Sequence, residues 1–101
     1  MIWNTEQIRK IVIDSIAELL QGDGRGELPK IIDQTDPIRE LGLTSQDGIE
    51  LACLLSYKLG FEIPPEINPF KDDARRRPRR IGEIVNLLLQ LQEQKEVSDH
   101  A

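Results

Sequence analysis

Apolar residues recur at helical spacing in three segments of this 101-residue chain, and glycines and prolines separate the segments. The first segment follows Asn4, with Gln7 placed three residues later to complete a capping box. The second covers about residues 45–59 and ends at Gly60, a residue type typical of helix C-caps. The third covers about residues 81–92. This pattern predicts an all-α fold.

The apolar residues of each segment mark the faces that we expect to form the core. In the first helix they are Ile8, Ile11, Val12, Ile16, Leu19 and Leu20. In the second they are Leu51, Ala52, Leu55 and Leu59. In the last they are Ile81, Ile84, Val85, Leu88 and Leu91.

Two connections complete the predicted architecture. The first is a long loop between about residues 22 and 36, which we expect to be held against the core by Leu28, Ile31 and Ile32. The second is expected to contain a short third helix that begins at Glu66, just after two prolines. The sequence therefore predicts a four-helix bundle with a long first loop and a short third helix.

Length and composition bound the class of protein. A chain of this size forms one domain, predicted over residues 1–101, with an ordered part at about 4–92 and a polar tail at 93–101. Charged residues make up 31% and hydrophobic residues 39%, which is an ordinary soluble balance. No apolar run approaches a membrane span, and the N-terminus lacks the pattern of a signal peptide. We therefore expect a cytoplasmic monomer that does not insert into a membrane.

Few residues offer chemistry of their own. Cys53 is the only cysteine, which excludes an internal disulfide and a metal site built on paired cysteines. The only histidine, His100, falls in the polar tail, and none lies near Cys53 to activate it. The carboxylates are scattered and form no evident acid–base pair. The sequence therefore predicts a protein that is not an enzyme and binds no metal.

Positive charge is concentrated in one segment. Residues 71–80 carry six positive and two negative charges, and the arginines among them are Arg75, Arg76, Arg77, Arg79 and Arg80. Since the net charge of the chain is −5, the other residues sum to −9. The segment precedes the last helix, at the end where acidic residues are preferred. We expect it either to be a solvated loop or to contact an acidic surface of a partner protein.

A serine lies where the second helix begins. The run Leu41-Gly42-Leu43-Thr44-Ser45 enters the helix from a tight loop. Thr44 is a good N-cap residue, and Asp47 is placed to complete its capping box. Ser45 then occupies about the first helical position, at the positive end of the helix dipole. On the local pattern alone a serine here is usually part of a cap, but the position also suits a phosphate ester on its hydroxyl.

Three stretches extend this pattern: Asp36-Pro37-Ile38-Arg39-Glu40-Leu41-Gly42-Leu43-Thr44-Ser45, Ile49-Glu50-Leu51 and Leu59-Gly60-Phe61-Glu62-Ile63-Pro64. With this spacing the chain resembles the acyl carrier proteins, which bear 4′-phosphopantetheine on a serine at the start of the second helix. The resemblance implies an acyl-carrier-like bundle with Ser45 as the attachment site. It also implies that a phosphopantetheinyl transferase takes the arm from coenzyme A. Acyl groups would be carried on the arm as thioesters, and acyl-loading and acyl-accepting enzymes of fatty-acid or specialised acyl or polyketide biosynthesis would be the partners.

The residues beside Ser45 depart from the family pattern. Thr44 stands where the family usually has Asp, and Gln46 stands where it often has Leu, so both flank the implied arm with atypical side chains. The resemblance implies that this side of the helix meets partner enzymes, through Gln46, Ile49, Glu50 and Cys53, and the arginine segment is the second predicted partner surface. The interior residues that would line a space for an acyl chain are Leu51, Leu55, Ile63, Ile84 and Leu88.

Other functions fit parts of the same sequence. The cargo could be an aminoacyl or peptidyl group rather than an acyl group. The chain could instead be a helical protein-interaction domain without a prosthetic group, in which Ser45 belongs only to the helix cap. A nucleic-acid binder that uses the five arginines is disfavoured, because phosphate contacts need a basic face and the rest of the chain is acidic.

Overall fold

The computed structural model describes residues 2–22 and 29–99 of the chain. In these ranges it contains three α-helices and a small two-stranded antiparallel sheet. Leu28, predicted to hold the first loop against the core, and His100 lie outside the described residues. The described part is mostly helical, as predicted, but it forms a three-helix arrangement in place of the predicted four-helix bundle.

Helix α1 (Thr5–Gly22) begins at the predicted capping box. The backbone N–H of Asn4 donates to Gln7 Oε1 at 3.0 Å, and the N–H of Gln7 donates to Asn4 Oδ1 at 2.8 Å. These reciprocal bonds satisfy donors that the start of a helix leaves unpaired. The predicted apolar face is confirmed, since the residues at its centre have no solvent exposure: Ile8, Val12, Ile16 and Leu20.

The other two helices, α2 (Ser45–Leu59) and α3 (Ile81–Asp99), both pack against α1. Their apolar faces join those of α1 in one buried cluster, to which the connections add Leu41, Leu43, Phe61 and Ile63. Full burial of one Leu or Ile side chain contributes about 1.5–3 kcal/mol. The shared cluster therefore holds the three helices together.

The end of α2 agrees with the sequence. Gly60 has a φ of 80°, in the left-handed region that glycine adopts at little cost, and its N–H donates to Ser56 O at 3.0 Å. Lys58 in the last turn is favourably placed at the negative end of the helix dipole. The predicted C-cap is confirmed.

The predicted short third helix was wrong. After Pro64 the chain makes a single turn, in which the N–H of Ile67 donates to Pro64 O at 2.9 Å. Pro69 has no N–H to continue a helix, and the residue before a proline is disfavoured in the α conformation. The chain continues instead into a hairpin of β1 (Lys71–Asp72) and β2 (Arg77–Pro78).

The hairpin is short and closed at its base. Lys71 pairs with Pro78 and Asp72 with Arg77, and beyond these pairs the N–H of Arg79 donates to Phe70 O at 2.9 Å. Phe70 has no solvent exposure and belongs to the core cluster. A buried aromatic side chain thus anchors an otherwise exposed polar segment.

The first loop is held to the core only partly as predicted. Ile31 is half-buried against the core cluster. Ile32 is 45% exposed, so its predicted role was wrong. Its N–H donates to Thr35 Oγ1 and the N–H of Thr35 donates back to Ile32 O, both at 3.0 Å. This tight turn buries Thr35 and leaves Ile32 outside.

The same loop caps the last helix. The N–H of Ile81 donates to Thr35 O at 3.0 Å, and the N–H of Gly82 donates to Asp33 O at 2.9 Å. Helix α3 therefore needs no Ser, Thr or Asp at its start, because backbone carbonyls from a distant segment satisfy its first donors. The helix continues past the predicted boundary at Gln92 to Asp99. Among the described residues, no helix combines the length and apolar character needed to cross a membrane.

Candidate functional site

Ser45 is the first residue of α2, and its neighbours cap the helix. The N–H of Asp47 donates to Thr44 Oγ1 at 3.3 Å, and the N–H of Thr44 donates to Asp47 Oδ2 at 2.8 Å. Thr44 Oγ1 also donates to the same Asp47 oxygen at 3.1 Å. The predicted capping box is confirmed, and it is complete without the Ser45 hydroxyl. Ser45 is therefore not the cap, and it is partly exposed beside it.

The helix end around Ser45 suits an anion. The N–H of Gly48 donates to Thr44 O at 3.2 Å, so the helical hydrogen-bond ladder begins there. The N–H groups of Ser45 and Gln46 come before it, where helical acceptors are lacking and the helix dipole is positive. A phosphodiester on Ser45 Oγ would lie beside these donors.

A side chain from the connection after α2 braces this turn. Asn68 Nδ2 donates to Ser45 O at 2.9 Å, while the N–H of Phe70 donates to Asn68 Oδ1 at 2.9 Å. The amide lies directly on Gly48, where an added Cβ would come within 2.1 Å of Asn68 Oδ1. The absence of a side chain at Gly48 permits this close approach. Asn68 thereby fixes the backbone at Ser45.

The predicted partner residues of α2 lie together on its exposed face. Gln46, Glu50 and Cys53 are exposed, and Ile49 is 52% exposed. Tyr57, one turn beyond Cys53, is 87% exposed. Ile49, Cys53 and Tyr57 follow one another at intervals of four residues, so they form one stripe along the helix. We call these three residues the α2 stripe.

Glu83, in the first turn of α3, organises much of the arginine segment. Arg75 Nη1 donates to Glu83 Oε2 at 2.9 Å, and Arg77 Nη2 donates to the same oxygen at 2.6 Å. Glu83 Oε1 accepts the N–H of Arg80 at 2.9 Å, which completes half of a capping box. Hydrogen bonding to Arg77 is the main cause that lowers the pKa of the Glu83 carboxyl to about 2. The carboxylate thus offsets two arginines at the positive end of α3.

The next two arginines bind backbone carbonyl groups. Arg79 Nη1 donates to Asn68 O at 3.0 Å, and Arg80 Nη1 donates to Gln34 O at 2.7 Å. Arg79 also donates to Lys71 O. Both arginines therefore hold connections together, and Arg79 supports the residue that braces Ser45.

Arg76 differs from the other four. Its φ is 57°, in the left-handed region, and its side chain forms no ion pair with any described residue. Four of the five arginines predicted as a partner surface thus bind groups within the fold, whereas Arg76, at the end of the hairpin loop, has no ion-pair partner in residues 2–22 and 29–99.

The residues predicted to line a space for an acyl chain lie in the packed core. Each is at most 5% exposed, and they are Leu51, Leu55, Ile63, Ile84 and Leu88. They pack in the same cluster as the helix α1 face. An apolar cargo among them would have to displace side chains that fill the interior.

Two residues of this region were missed in the sequence. Glu83 lies three residues after Arg80, the spacing of a capping-box partner, and this spacing was a usable signal. Asn68 precedes Pro69, a pair typical of turns. No local pattern indicates that its amide reaches Ser45, which is 23 positions away.

Among the described residues, no group of three or more His, Cys, Asp or Glu side chains is placed to hold a metal ion. No family model, curated protein or solved structure matches the chain. The chemistry of the site is therefore inferred from Ser45, from the helix end at which it lies and from the side chains around it.

Proposed function

We propose that the protein is a carrier whose Ser45 hydroxyl bears a 4′-phosphopantetheine arm. The observation that carries this proposal is the division of roles at the start of α2. Thr44 and Asp47 form a complete capping box, and Ser45 stands next to it with a hydroxyl that the cap does not use. A serine kept only for capping would be expected at the position of Thr44. The resemblance of residues 36–64 to acyl carrier proteins points to the same hydroxyl.

Attachment would be a transfer from coenzyme A. Ser45 Oγ forms a bond to the phosphorus that carries the pantetheine, the P–O bond of the pyrophosphate breaks, and adenosine 3′,5′-bisphosphate leaves. The proton of the hydroxyl passes to a base of a separate phosphopantetheinyl transferase. Asp47 is the nearest carboxylate in sequence, but its Oδ2 already accepts two bonds from Thr44. The N–H groups of Ser45 and Gln46 would be available to donate to the phosphodiester.

The chain itself would position the arm and present its cargo. The thiol of the arm supplies the thioester on which an acyl group, or alternatively an aminoacyl or peptidyl group, is carried. Asn68 and Gly48 fix the backbone at Ser45, and this would set the direction in which an arm on Ser45 leaves the helix. In this proposal the α2 stripe, with Gln46 and Glu50, contacts the loading and accepting enzymes. Its exposed apolar side chains suit a protein partner.

Incubation with coenzyme A and a promiscuous phosphopantetheinyl transferase tests the proposal. Intact-mass spectrometry should show one arm on the wild-type chain and none on Ser45→Ala. Because Ser45 is outside the cap, Ser45→Ala should leave the free energy of unfolding nearly unchanged. Thr44→Val provides the matched comparison: it should lose about 1 kcal/mol of stability through the cap but still accept the arm.

Either of two results would overturn the proposal. An arm on Ser45→Ala would place the attachment elsewhere. A wild-type chain that gains no mass, although it is folded, would favour a helical interaction domain that acts through the α2 stripe alone.

A further inference from the structure

A pocket of about 380 Å³ opens between the hairpin and the turn that precedes α2. Ile38 and Pro78 contribute apolar surface to it, and both are partly buried. Lys71, Arg76 and Arg77 contribute positive charge, and Asp72 and Asp73 contribute negative charge. The pocket therefore combines apolar surface with three cations and two carboxylates, and its volume is at the lower end of the range for ligand sites.

Two of the cations at this pocket have no ion-pair partner in the part of the chain that the structure describes. Arg77 is held by Glu83, as described above. Among the described residues, Lys71 and Arg76 form no ion pair, although both line the pocket. Their charges are therefore available to a ligand, whereas that of Arg77 is largely offset.

The net charge around the pocket is small. The cations that line the pocket are Lys71, Arg76 and Arg77. Two carboxylates line it with them, those of Asp72 and Asp73, so the net charge of the lining is +1. Asp72 also lies 3.7 Å from Arg75, which reduces its effect. This balance favours a ligand with one negative charge over a phosphate dianion, which two nearby aspartates would repel.

The backbone of Arg76 gives a second reason to assign a role to its side chain. A φ of 57° is easy for glycine and tolerable for asparagine, but it is strained for other residues because of their Cβ atom. Arg76 makes no ion pair within the described fold that would offset this strain. Local strain of this kind concentrates at binding positions.

We propose that this pocket docks a segment of a partner protein in which one carboxylate side chain lies next to an aliphatic side chain. Lys71 and Arg76 bind the carboxylate, and Ile38 with Pro78 receives the aliphatic group. The residues that select the partner would then be two cations and an apolar surface, and not all five arginines of the segment. It does not depend on Ser45, because docking needs no prosthetic arm.

The pocket nevertheless connects to the Ser45 turn through the fold. Arg79 donates to the carbonyls of both Lys71 and Asn68, and Asn68 braces Ser45. A segment bound at Lys71 would thus lie against the support of the α2 start. The hairpin can bring a partner to the same end of the molecule as the serine.

Titration of the ¹⁵N-labelled, unmodified chain with three capped peptides tests the proposal. The first is acetyl-Leu-Asp-Leu-amide. The second replaces its aspartate by asparagine, and the third replaces both leucines by glycine. The first peptide should shift the amide resonances of Ile38 and the hairpin. Its binding should weaken as the salt concentration is raised. The other two should bind more weakly, because each lacks one half of the recognised chemistry.

Single substitutions identify which cations bind the carboxylate of the peptide. Lys71→Gln and Arg76→Gln should each raise the dissociation constant of the first peptide by about two- to fivefold, the range expected for an exposed ion pair. Lys10→Gln, which removes an exposed lysine from α1, should leave it unchanged. All three variants should keep the wild-type unfolding midpoint, since none of these side chains is buried.

Three results would overturn the proposal. Equal binding of the aspartate and asparagine peptides would show that the cations are not used. Equal shifts by inorganic phosphate at the same concentration would indicate a plain anion site. Binding that survives the double variant Lys71→Gln with Arg76→Gln would place the peptide elsewhere on the chain.

Discussion

Gln92 and Trp3 form a closed pair of hydrogen bonds between positions 89 apart in the chain. The N–H of Trp3 donates to Gln92 Oε1 at 2.8 Å, and Gln92 Nε2 donates to Trp3 O at 2.9 Å. Gln92 is only 6% exposed, so these two bonds account for a polar side chain in an apolar surrounding. The indole of Trp3 also donates to Leu59 O at 2.8 Å, which joins the same residue to the end of α2.

Replacement of Gln92 should therefore be costly. Gln92→Ala leaves the N–H and carbonyl of Trp3 without their partners, and we expect a loss of about 1–3 kcal/mol in the free energy of unfolding. Gln90→Ala, at an exposed position of the same helix, should be nearly neutral. Urea denaturation followed by circular dichroism measures both. Equal midpoints for the two variants would show that the Trp3 contact contributes nothing.

Leu55 tests the assignment of the two faces of α2. It is fully buried in the core cluster, so Leu55→Ala should cost roughly 2–5 kcal/mol through lost burial and the cavity left behind. Gln46→Ala on the exposed face should cost little stability. The comparison uses the same denaturation experiment. Similar losses of stability for Leu55→Ala and Gln46→Ala would mean that the face of α2 that packs against α1 is wrongly assigned.

A substitution at Gly48 tests the close contact between the Asn68 amide and the first turn of α2. Ala is normally the better helix former, by about 1 kcal/mol, but a Cβ at Gly48 would meet the Asn68 amide, which two hydrogen bonds hold in place. We expect Gly48→Ala to destabilise the protein by about 1–3 kcal/mol. Gly22→Ala provides the control, because no atom lies within 4 Å of its added Cβ.

A double-mutant cycle separates this contact from other effects. In an Asn68→Ala background the clash is absent, so Gly48→Ala should be neutral or stabilising there. If Gly48→Ala lowers the free energy of unfolding by the same amount in the wild-type and Asn68→Ala backgrounds, the close approach of Gly48 and Asn68 is contradicted.

Glu83 should make stability depend on pH in a defined acid range. Its folded-state pKa of about 2 lies below the ordinary value of 4.5, so the unfolded chain takes up the proton first as pH falls. Its contribution is therefore complete above about pH 4.5 and is lost as pH decreases towards 2. Glu83→Gln should lower stability by about 1–3 kcal/mol at neutral pH and flatten this part of the profile. Glu93→Gln, at an exposed position of α3, also removes one carboxylate and should leave the stability at neutral pH nearly unchanged.

The helices could be predicted because local patterns specify them. Asn4 with Gln7, Thr44 with Asp47, and Gly60 each mark a helix end within a few residues. Apolar spacing then identified the buried faces of all three helices. The same local information placed Ser45 correctly at the first turn of α2.

The hairpin and its contacts could not be predicted in this way. Two-residue strands give almost no periodic signal, and the segment is fixed by the burial of Phe70 and by the bond from Arg79 to Asn68. Both contacts depend on where the helices lie in space. The arginine run consequently read as one patch of charge, although Glu83 offsets two of its members.

The bond from the Arg79 N–H to Phe70 O brings the two ends of residues 71–78 together. The chain therefore leaves the helical body and returns to it at nearly the same point. The length of the hairpin between these two points does not change the spacing of the helices. Closing a somewhat longer loop costs little entropy. Selection or design can therefore change the tip, and with it the pocket proposed for docking, while Ser45 and the core keep their positions.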